Sequence, residues 1–212
     1  MESAKNQHLV PNSHFAEMTV AELLEALASP SPTPGGGTAA AIAAAMGTSL
    51  AVMVAGLAKS KNNTDEEKAA LSKARAAIEP ITARLTRLAD EDAASFDAVM
   101  AAYRLPKATD ADKTARTQAI QAALRGATEV PLETLRACAD ALVHARVVQD
   151  HGNQSADSDV GVAMGLLQAA ANGAAANVRT NLQGLKDEAF KAATEAETAR
   201  LLEPAALGKQ SR

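Results

Sequence analysis

Cysteine and aromatic residues are scarce in this chain of 212 residues. Cys138 is its one cysteine, so neither a disulfide framework nor a cysteine-rich zinc site can form within one chain. Aromatic residues make up 2% of the sequence, which leaves no platform on which the bases of single-stranded nucleic acid could stack. The formal net charge of -4 provides no overall attraction to polyanions. We therefore expect a cytoplasmic protein that does not bind nucleic acid.

Charged residues are also absent from Ala26 to Ala58, and the part from Thr38 onward is long enough to cross a bilayer. Its bulky side chains recur every three or four residues, at Ile42, Met46, Leu50, Met53 and Leu57. The positions between them are mostly alanine, glycine, serine and threonine. This pattern predicts a helix with one bulky stripe and one small-residue face, buried in a soluble bundle rather than in a membrane.

The rest of the chain has helical periodicity and no alternating strand pattern, which predicts an all-α, multihelical bundle with long, partly kinked helices. We expect one helical domain over residues 19–203, between an N-terminal tail of residues 1–18 and a C-terminal tail of residues 204–212. The expected helices start after Thr19, after Thr64, near Thr109, at Asp159 and near Asp187. Pro80 is expected to kink the second of these, and Gly126 and Pro131 are expected to break the third.

The stretch "SPTPGGGTAAA" places Gly35, Gly36 and Gly37 before the predicted central helix. No strand precedes these glycines and no Gly-Lys-Ser/Thr follows them, so neither a P-loop nor a dinucleotide fingerprint is indicated. Glycine permits a positive φ, removes a Cβ from a close approach and leaves free N–H groups at a helix start. Two interpretations remain open, a turn that binds a polar ligand and a turn that only serves packing.

Asp92 interrupts the apolar face of the long helix. The apolar residues of that face are Ile78, Ile81, Leu85, Leu88, Phe96, Val99 and Tyr103. A carboxylate on a buried face is either hydrogen-bonded within the fold or used for acid-base chemistry, and both remain possible. Lys107 follows Pro106 near the Tyr103 end of the same face.

Polar side chains also interrupt the small-residue helix that starts at Asp159, notably Asn172, Asn177 and Asn181. In a continuous helix, Asn177 returns to the angular position of Asp159 about 27 Å along the axis. The two therefore cannot both contact one small reacting centre within a chain. The four histidines lack a neighbouring pattern of metal ligands, and no metal site is predicted.

Five motifs occur in the order "SPTPGGGTAAA", "DEDAASFDAVMAAYRLPK", "ATEVPL", "GNQSADSDVGVA" and "NGAAANVRTNL". Together they resemble the cyclodeaminase/cyclohydrolase family of folate enzymes over about Thr19 to Leu185. The segment "AGLAKSKNNT" has Lys59 and Lys61 where many members carry a glycine-lysine-lysine-tyrosine run. The resemblance implies an all-helical homodimer that acts on one-carbon tetrahydrofolate derivatives, with no cofactor or metal beyond that substrate.

The resemblance also implies roles for particular residues. It makes Asp92 the group that stabilises a cationic carbon and moves a proton, with Lys107 assisting proton transfer or orientation. The implied substrate-binding residues are Thr33, Pro34, Gly35, Gly36, Gly37, Asn153, Asp159, Asn177 and Asn181.

Two family reactions fit the resemblance. We expect a methenyltetrahydrofolate cyclohydrolase that forms 10-formyltetrahydrofolate, because the chain has no formiminotransferase domain that could deliver a formimino group. A formimidoyltetrahydrofolate cyclodeaminase that releases ammonia is the first alternative. A non-enzymatic helical dimer is the second, and it leaves the carboxylate at Asp92 unexplained.

Overall fold

The structure is a computed structural model that describes residues 14–57 and 63–206. These residues form six α-helices and two short 3-10 helices, Phe15–Glu17 and Gln154–Ala156, and they contain no strand. The α-helices are α1 (Val20–Ala28), α2 (Gly36–Gly56), α3 (Asp65–Arg104), α4 (Asp110–His151), α5 (Asp157–Leu182) and α6 (Glu188–Ala206). The predicted all-α bundle is confirmed. Lys59, Lys61 and most of the two predicted tails lie outside the described residues.

Three helices begin at the capping boxes that their sequences contain. In each, a threonine side chain accepts a hydrogen bond from a backbone N–H three residues later, and an acidic side chain at that later position accepts one in return. The pairs are Thr19 with Glu22, Thr64 with Glu67, and Thr109 with Asp112. These starts follow local sequence rules, which is why α1, α3 and α4 begin where the sequence predicts.

Helices α2 to α5 form a four-membered ring in which α2 packs on α3 and α5, and α4 packs on the same two helices. Helix α6 lies against α4 and α5. The core between the ring helices contains fully buried leucines, among them Leu85, Leu88, Leu135, Leu142 and Leu167. Helix α2 contributes mainly alanines to this core, so its backbone lies close to its neighbours.

Helix α2 turns its small face inward and most of its bulky stripe outward. Ala41, Ala44 and Thr48 are fully buried, whereas Met46 is 56% and Met53 is 40% exposed. By length and composition α2 could span a membrane, and it alone could among the described helices, although core helices often have such sequences. The arrangement confirms the small-residue packing face and leaves apolar side chains at the surface.

Several local predictions were wrong. Helix α4 is continuous through Gly126 and Pro131, because its long buried face, which includes Leu124 and Leu135, outweighs the local preferences of glycine and proline. Helix α3, by contrast, runs through Pro80 as the one helix that the sequence predicts. Tyr103, expected on the buried face, is 46% exposed.

The described end of the predicted N-terminal tail is packed against the domain. Phe15 is buried and its backbone N–H donates to Oδ1 of Asp90 at 2.8 Å. The His14 ring lies 3.0 Å from Oδ2 of the same carboxylate, which raises the pKa of the imidazole. Asp90 is two residues from Asp92, so this segment lies next to the part of α3 that carries the candidate site.

Candidate active site

The three glycines form the start of α2. Gly35 is the N-cap with an extended backbone (φ -119°, ψ -159°), and Gly36 and Gly37 form the first two helical positions. No glycine among the described residues has a positive φ, so the freedom of glycine to adopt a left-handed backbone is not used here. The first intrahelical bond runs from Ala39 N–H to the Gly35 carbonyl at 3.0 Å. The N–H groups of Gly36 and Gly37 therefore have no intrahelical acceptor.

Close approach of Asp92 explains the need for glycine at position 37. A Cβ on Gly37 would lie 2.1 Å from Oδ1 of Asp92 and 2.7 Å from Oδ2. Both distances are far below van der Waals contact, so a side chain at this position would displace the carboxylate. The glycine thus lets α3 place a carboxylate directly against the N-terminal turn of α2.

Thr38 holds the Asp92 carboxylate in this position. Its Oγ1 donates to Oδ2 of Asp92 at 3.0 Å, and its backbone N–H also hydrogen-bonds to the carboxylate. The Thr38 side chain is fully buried. Sequence analysis missed Thr38, although its place directly after the glycines, at the third position of the helix, could have suggested it. The hydrogen bond within the fold, one of the two interpretations of Asp92, is therefore present.

Burial nevertheless dominates the protonation of Asp92. Desolvation raises the pKa of its carboxyl above the usual value, and the two hydrogen bonds from Thr38 only partly oppose that rise. A carboxyl with a raised pKa holds a proton more readily than an ordinary carboxyl, which suits it to accept and return a proton in general acid-base chemistry. The hydrogen bond within the fold and acid-base chemistry are thus compatible roles for the same group.

Asn177 of α5 lies beside the same start of α2. A Cβ on Gly36 would lie 3.6 Å from Asn177 Nδ2, and this nitrogen donates to the Gly173 carbonyl at 2.9 Å. The start of α2, Asp92 of α3 and Asn177 of α5 consequently meet at one end of the ring. Thr33 and Pro34, joined by a cis peptide bond, immediately precede Gly35.

Other predicted site residues lie elsewhere in the chain. Asp159 is in the first turn of α5, and the continuous helix places it about 27 Å from Asn177. Asn153 caps the 3-10 helix before α5, where its Oδ1 accepts from Ser155 N–H at 3.0 Å. Lys107 is exposed beyond the end of α3, and Asp92 is about 18 Å from that end along the axis. One chain does not bring these three residues to Asp92.

Asn181 has a specific hydrogen bond within the bundle. Its Nδ2 donates to the Ala127 carbonyl of α4 at 2.7 Å. In a regular helix that carbonyl would accept from the residue four positions later, which is Pro131 and has no N–H. Asn181 thus supplies the donor that the proline removes, and this contact accounts for an amide at that position.

The described residues give no basis for nucleophilic catalysis by cysteine or for metal binding. Burial raises the pKa of the Cys138 thiol to about 12, so it is protonated at neutral pH and a poor nucleophile. No group of three or more His, Cys, Asp or Glu side chains within residues 14–57 and 63–206 is placed to hold a metal ion.

Comparison with known proteins gives a consistent set of relatives. The family model for formiminotransferase-cyclodeaminase matches residues 19–200. A methenyltetrahydrofolate cyclohydrolase of Methylorubrum extorquens is 43% identical over 172 residues, covering 81% of this chain and 83% of the relative. A formimidoyltransferase-cyclodeaminase of Sus scrofa is 33% identical over 195 residues, covering 92% of this chain but 36% of that protein.

A solved structure has the same fold. The crystal structure of a formiminotetrahydrofolate cyclodeaminase from Thermotoga maritima superimposes with a TM-score of 0.79 at 26% sequence identity. The match covers 90% of this chain and 91% of that one. The likeness therefore extends over nearly the whole helical bundle.

Proposed function

The chain belongs to the formiminotransferase-cyclodeaminase family, and we propose that it is a methenyltetrahydrofolate cyclohydrolase, which hydrolyses 5,10-methenyltetrahydrofolate to 10-formyltetrahydrofolate. The observation that carries this proposal is the partly buried Asp92 carboxylate, held against the start of α2 beside Gly36 and Asn177. The 43% identical relative with this name, matched over most of both chains, supports the choice of reaction.

The geometry suits the addition of water to a cationic carbon. The methenyl carbon between N5 and N10 carries amidinium charge, which a nearby carboxylate stabilises. As the water oxygen bonds to this carbon, Asp92 can accept the proton that water loses, giving a neutral tetrahedral intermediate. When the bond from carbon to N5 breaks, the carboxyl can return a proton to N5, and the hydroxyl proton leaves as the formyl group forms.

The start of α2 and Asn177 can bind and orient the ligand. The N–H groups of Gly36 and Gly37 are donors at the positive end of a helix, suited to a carboxylate or a polar heterocycle. The side-chain oxygen of Asn177 is an acceptor, because its nitrogen donates to Gly173. We propose that Thr33, Pro34 and Gly35 form the adjoining wall of this pocket.

Asp159, Asn153 and Lys107 lie away from Asp92 in the chain, and we propose that they serve the substrate at a distance or in a site that a second subunit completes. Lys107 is proposed to assist proton transfer or orientation. Asn181 remains a proposed pocket residue, although its nitrogen is engaged by Ala127.

We further propose a cytoplasmic homodimer whose small-molecule ligand is a reduced folate. No metal ion and no cofactor beyond that substrate enter the proposed reaction, and neither nucleic acid nor a membrane is a proposed partner. The buried thiol of Cys138 is compatible with a reducing compartment. The outward apolar stripe of α2 supports self-association.

Cyclodeamination is the second candidate, favoured by the superposition on a formiminotetrahydrofolate cyclodeaminase. A pair of assays separates the two. Purified protein is incubated with methenyltetrahydrofolate, whose loss of absorbance is followed against the uncatalysed rate, and with formiminotetrahydrofolate, from which ammonia is measured. We expect turnover in the first assay. Ammonia release alone would favour the cyclodeaminase, and no turnover in either would leave the non-enzymatic dimer.

A further inference from the structure

Helix α3 extends well beyond the start of α2. The two helices run antiparallel, because Gly56 lies next to Arg75 at one end and Gly37 lies next to Asp92 at the other. Helix α2 therefore packs on α3 only as far as Asp92. From there to its last residue, Arg104, α3 continues for about 18 Å without α2 beside it.

The apolar side of α3 becomes exposed at this level. Before Asp92 the leucines of this side are fully buried. Beyond it, Phe96 and Met100 are partly exposed and Tyr103 is 46% exposed. The spacing from Asp92 is four, four and then three residues, which places all four side chains on one side of the helix. The surface formed by Phe96, Met100 and Tyr103 is called the exposed α3 face below.

Phe96 is the member of the exposed α3 face nearest to the candidate site. It follows Asp92 by four residues, so the two side chains are neighbours one helical turn apart. The Asp92 carboxylate lies at the start of α2, where Asn177 lies beside Gly36. The ring of Phe96 consequently adjoins the polar site on the side away from α2.

The far end of the exposed α3 face carries a positive charge. The Arg116 guanidinium of α4 lies 5.7 Å from the centroid of the Tyr103 ring. Its hydrogen bonds go to the Tyr103 carbonyl, which is a neutral acceptor. The guanidinium charge can therefore still attract an anionic group at this end of the face.

The substrate of the proposed reaction has parts that match this order of polar site, aromatic ring and cation. Its methenyl carbon lies between N5 of a polar bicyclic ring and N10, which carries a p-aminobenzoyl ring that ends in a glutamate. The free N–H groups at the start of α2 and the side-chain oxygen of Asn177 suit the polar bicyclic ring. The aminobenzoyl ring suits an aromatic side chain, and the glutamate carboxylates suit a guanidinium.

We propose that Phe96 is a substrate-binding residue whose ring stacks on the p-aminobenzoyl ring, and that the glutamate end of the substrate extends along the exposed α3 face toward Arg116. This assignment rests on the proposed function, and it adds the direction in which the substrate lies. It also gives a reason for the apolar side of α3 to continue past Asp92, where α2 does not cover it.

Phe96→Leu tests the stacking, because leucine keeps an apolar side chain and removes the ring. Phe96→Tyr keeps the ring. Phe190→Leu is the matched control, since Phe190 is a partly buried aromatic residue of α6 whose ring lies against Arg125. KM and kcat are measured on methenyltetrahydrofolate, and circular dichroism reports folding. Proton NMR of tetrahydrofolate, kept free of oxygen, follows the aminobenzoyl protons as protein is added.

We expect KM to rise by about two- to tenfold in Phe96→Leu, the effect of one aromatic pair. The kcat should change little, because stacking on a ring outside the reacting bonds contributes equally to ground-state and transition-state binding. Phe96→Tyr and Phe190→Leu should retain the wild-type KM. The aminobenzoyl protons should shift upfield with wild-type protein, as protons above an aromatic ring do, and this shift should be absent with Phe96→Leu.

Arg116→Gln tests the direction of the substrate. The KM for methenyltetrahydrofolate should rise by about two- to fivefold, the effect of one exposed ion pair. The KM for methenyltetrahydropteroate, which lacks the glutamate, should not change. An equal rise for both substrates, or no rise for either, would contradict the proposed direction.

A wild-type KM in Phe96→Leu, with the NMR shift retained, would overturn the stacking. An upfield shift confined to protons of the bicyclic ring would reverse the direction and contradict the inference. A changed mass of Phe96→Leu in sedimentation, with KM unchanged, would show that this face contacts another chain instead of the substrate. Wild-type protein that neither binds nor turns over a folate would refute the proposed function itself, whereas turnover that is indifferent to Phe96 would refute only this inference.

Discussion

The Asp92 carboxylate occupies the space that a side chain on Gly37 would need, with Oδ1 2.1 Å from the position of a Cβ. This contact explains both the glycine at position 37 and the partial burial of the Asp92 carboxylate. The glycine is needed because a carboxylate from another helix lies against it, and that carboxylate is partly buried because a helix start covers it. The raised pKa of Asp92 follows from the same burial.

Replacing Asp92 with asparagine should remove the proton transfer while retaining the shape of the site. We expect a folded protein whose kcat falls by roughly a hundredfold or more, as for other positioned acid-base groups. The rate is measured on methenyltetrahydrofolate after subtraction of uncatalysed hydrolysis. Asp97→Asn is the matched control, because Asp97 is an exposed carboxylate on the same helix. Near-normal turnover in Asp92→Asn would exclude Asp92 as the catalytic group.

Thr38 should set the pH dependence of the reaction. Its hydrogen bonds lower the pKa of Asp92 against the effect of burial, so Thr38→Val should raise that pKa further. If ionised Asp92 accepts the proton, the fall of kcat on the acid side should then move to higher pH. Thr38→Ser keeps the hydroxyl and should retain the wild-type profile. Three coincident profiles would show that Thr38 does not tune the active carboxylate.

The glycine positions should differ in their tolerance of alanine. Gly37→Ala places a Cβ against the Asp92 carboxylate and should lower kcat/KM by about tenfold or more. In Gly36→Ala the new Cβ would lie 3.6 Å from Asn177 Nδ2, an ordinary contact. That variant should fold normally, and any defect should lie in ligand binding. Equal effects of the two substitutions would contradict the proposed contact, provided that circular dichroism shows both variants to be folded.

The all-α class and the capped starts of α1, α3 and α4 could be predicted because they depend on local patterns. The continuity of α4 through Pro131 could not. It depends on burial of a long face and on a donor from Asn181, fifty-four positions from the carbonyl that accepts it. Local rules at Gly126 and Pro131 predict a break because they contain no information about α5.

The sequence could predict those parts of the candidate site in which a single residue departs from the helical pattern around it. Asp92 interrupted an apolar face, and three glycines preceded a helix. Their direct contact, the role of Thr38 and the adjacency of Asn177 depend on how α2, α3 and α5 pack. The outward orientation of the bulky side chains on α2 could not be predicted either. Bulky apolar side chains are usually buried, whereas α2 packs its small residues inward and exposes most of the larger ones.

Asn181→Ala should destabilise the fold, and its kcat/KM per folded molecule tests the proposed role of Asn181 in the pocket. It leaves the Ala127 carbonyl without a donor, because Pro131 cannot supply one. We expect a loss of about 1–3 kcal/mol in the free energy of unfolding, measured by urea denaturation. Asn172→Ala, at an exposed position on the same helix, should change stability by less than about 0.5 kcal/mol. A large loss of kcat/KM in stable Asn181→Ala would instead favour its proposed role in the pocket.

Asp92 should also make stability depend on pH, with a sign opposite to that of most carboxylates. Because its pKa is raised in the folded state, the folded protein binds a proton more tightly than the unfolded chain does. Its contribution to stability is therefore fully present below the unfolded pKa and is lost as pH rises through the folded pKa. Asp92→Asn is neutral at every pH and lacks this loss. Relative to wild type, its Tm should rise as pH increases.

The measurement is a comparison of Tm by calorimetry at a series of pH values that starts near the ordinary aspartate pKa of about 3.9 and rises from there. Carboxylates such as Glu133, whose pKa the Arg84 guanidinium lowers, are common to both proteins and cancel in the difference. Asp97→Asn, at an exposed position on the same helix, is the control. If the Tm of Asp92→Asn relative to wild type instead rises as pH falls, the fold stabilises ionised Asp92. The carboxylate would then be a structural cap for α2 rather than an acid-base group whose burial lowers stability.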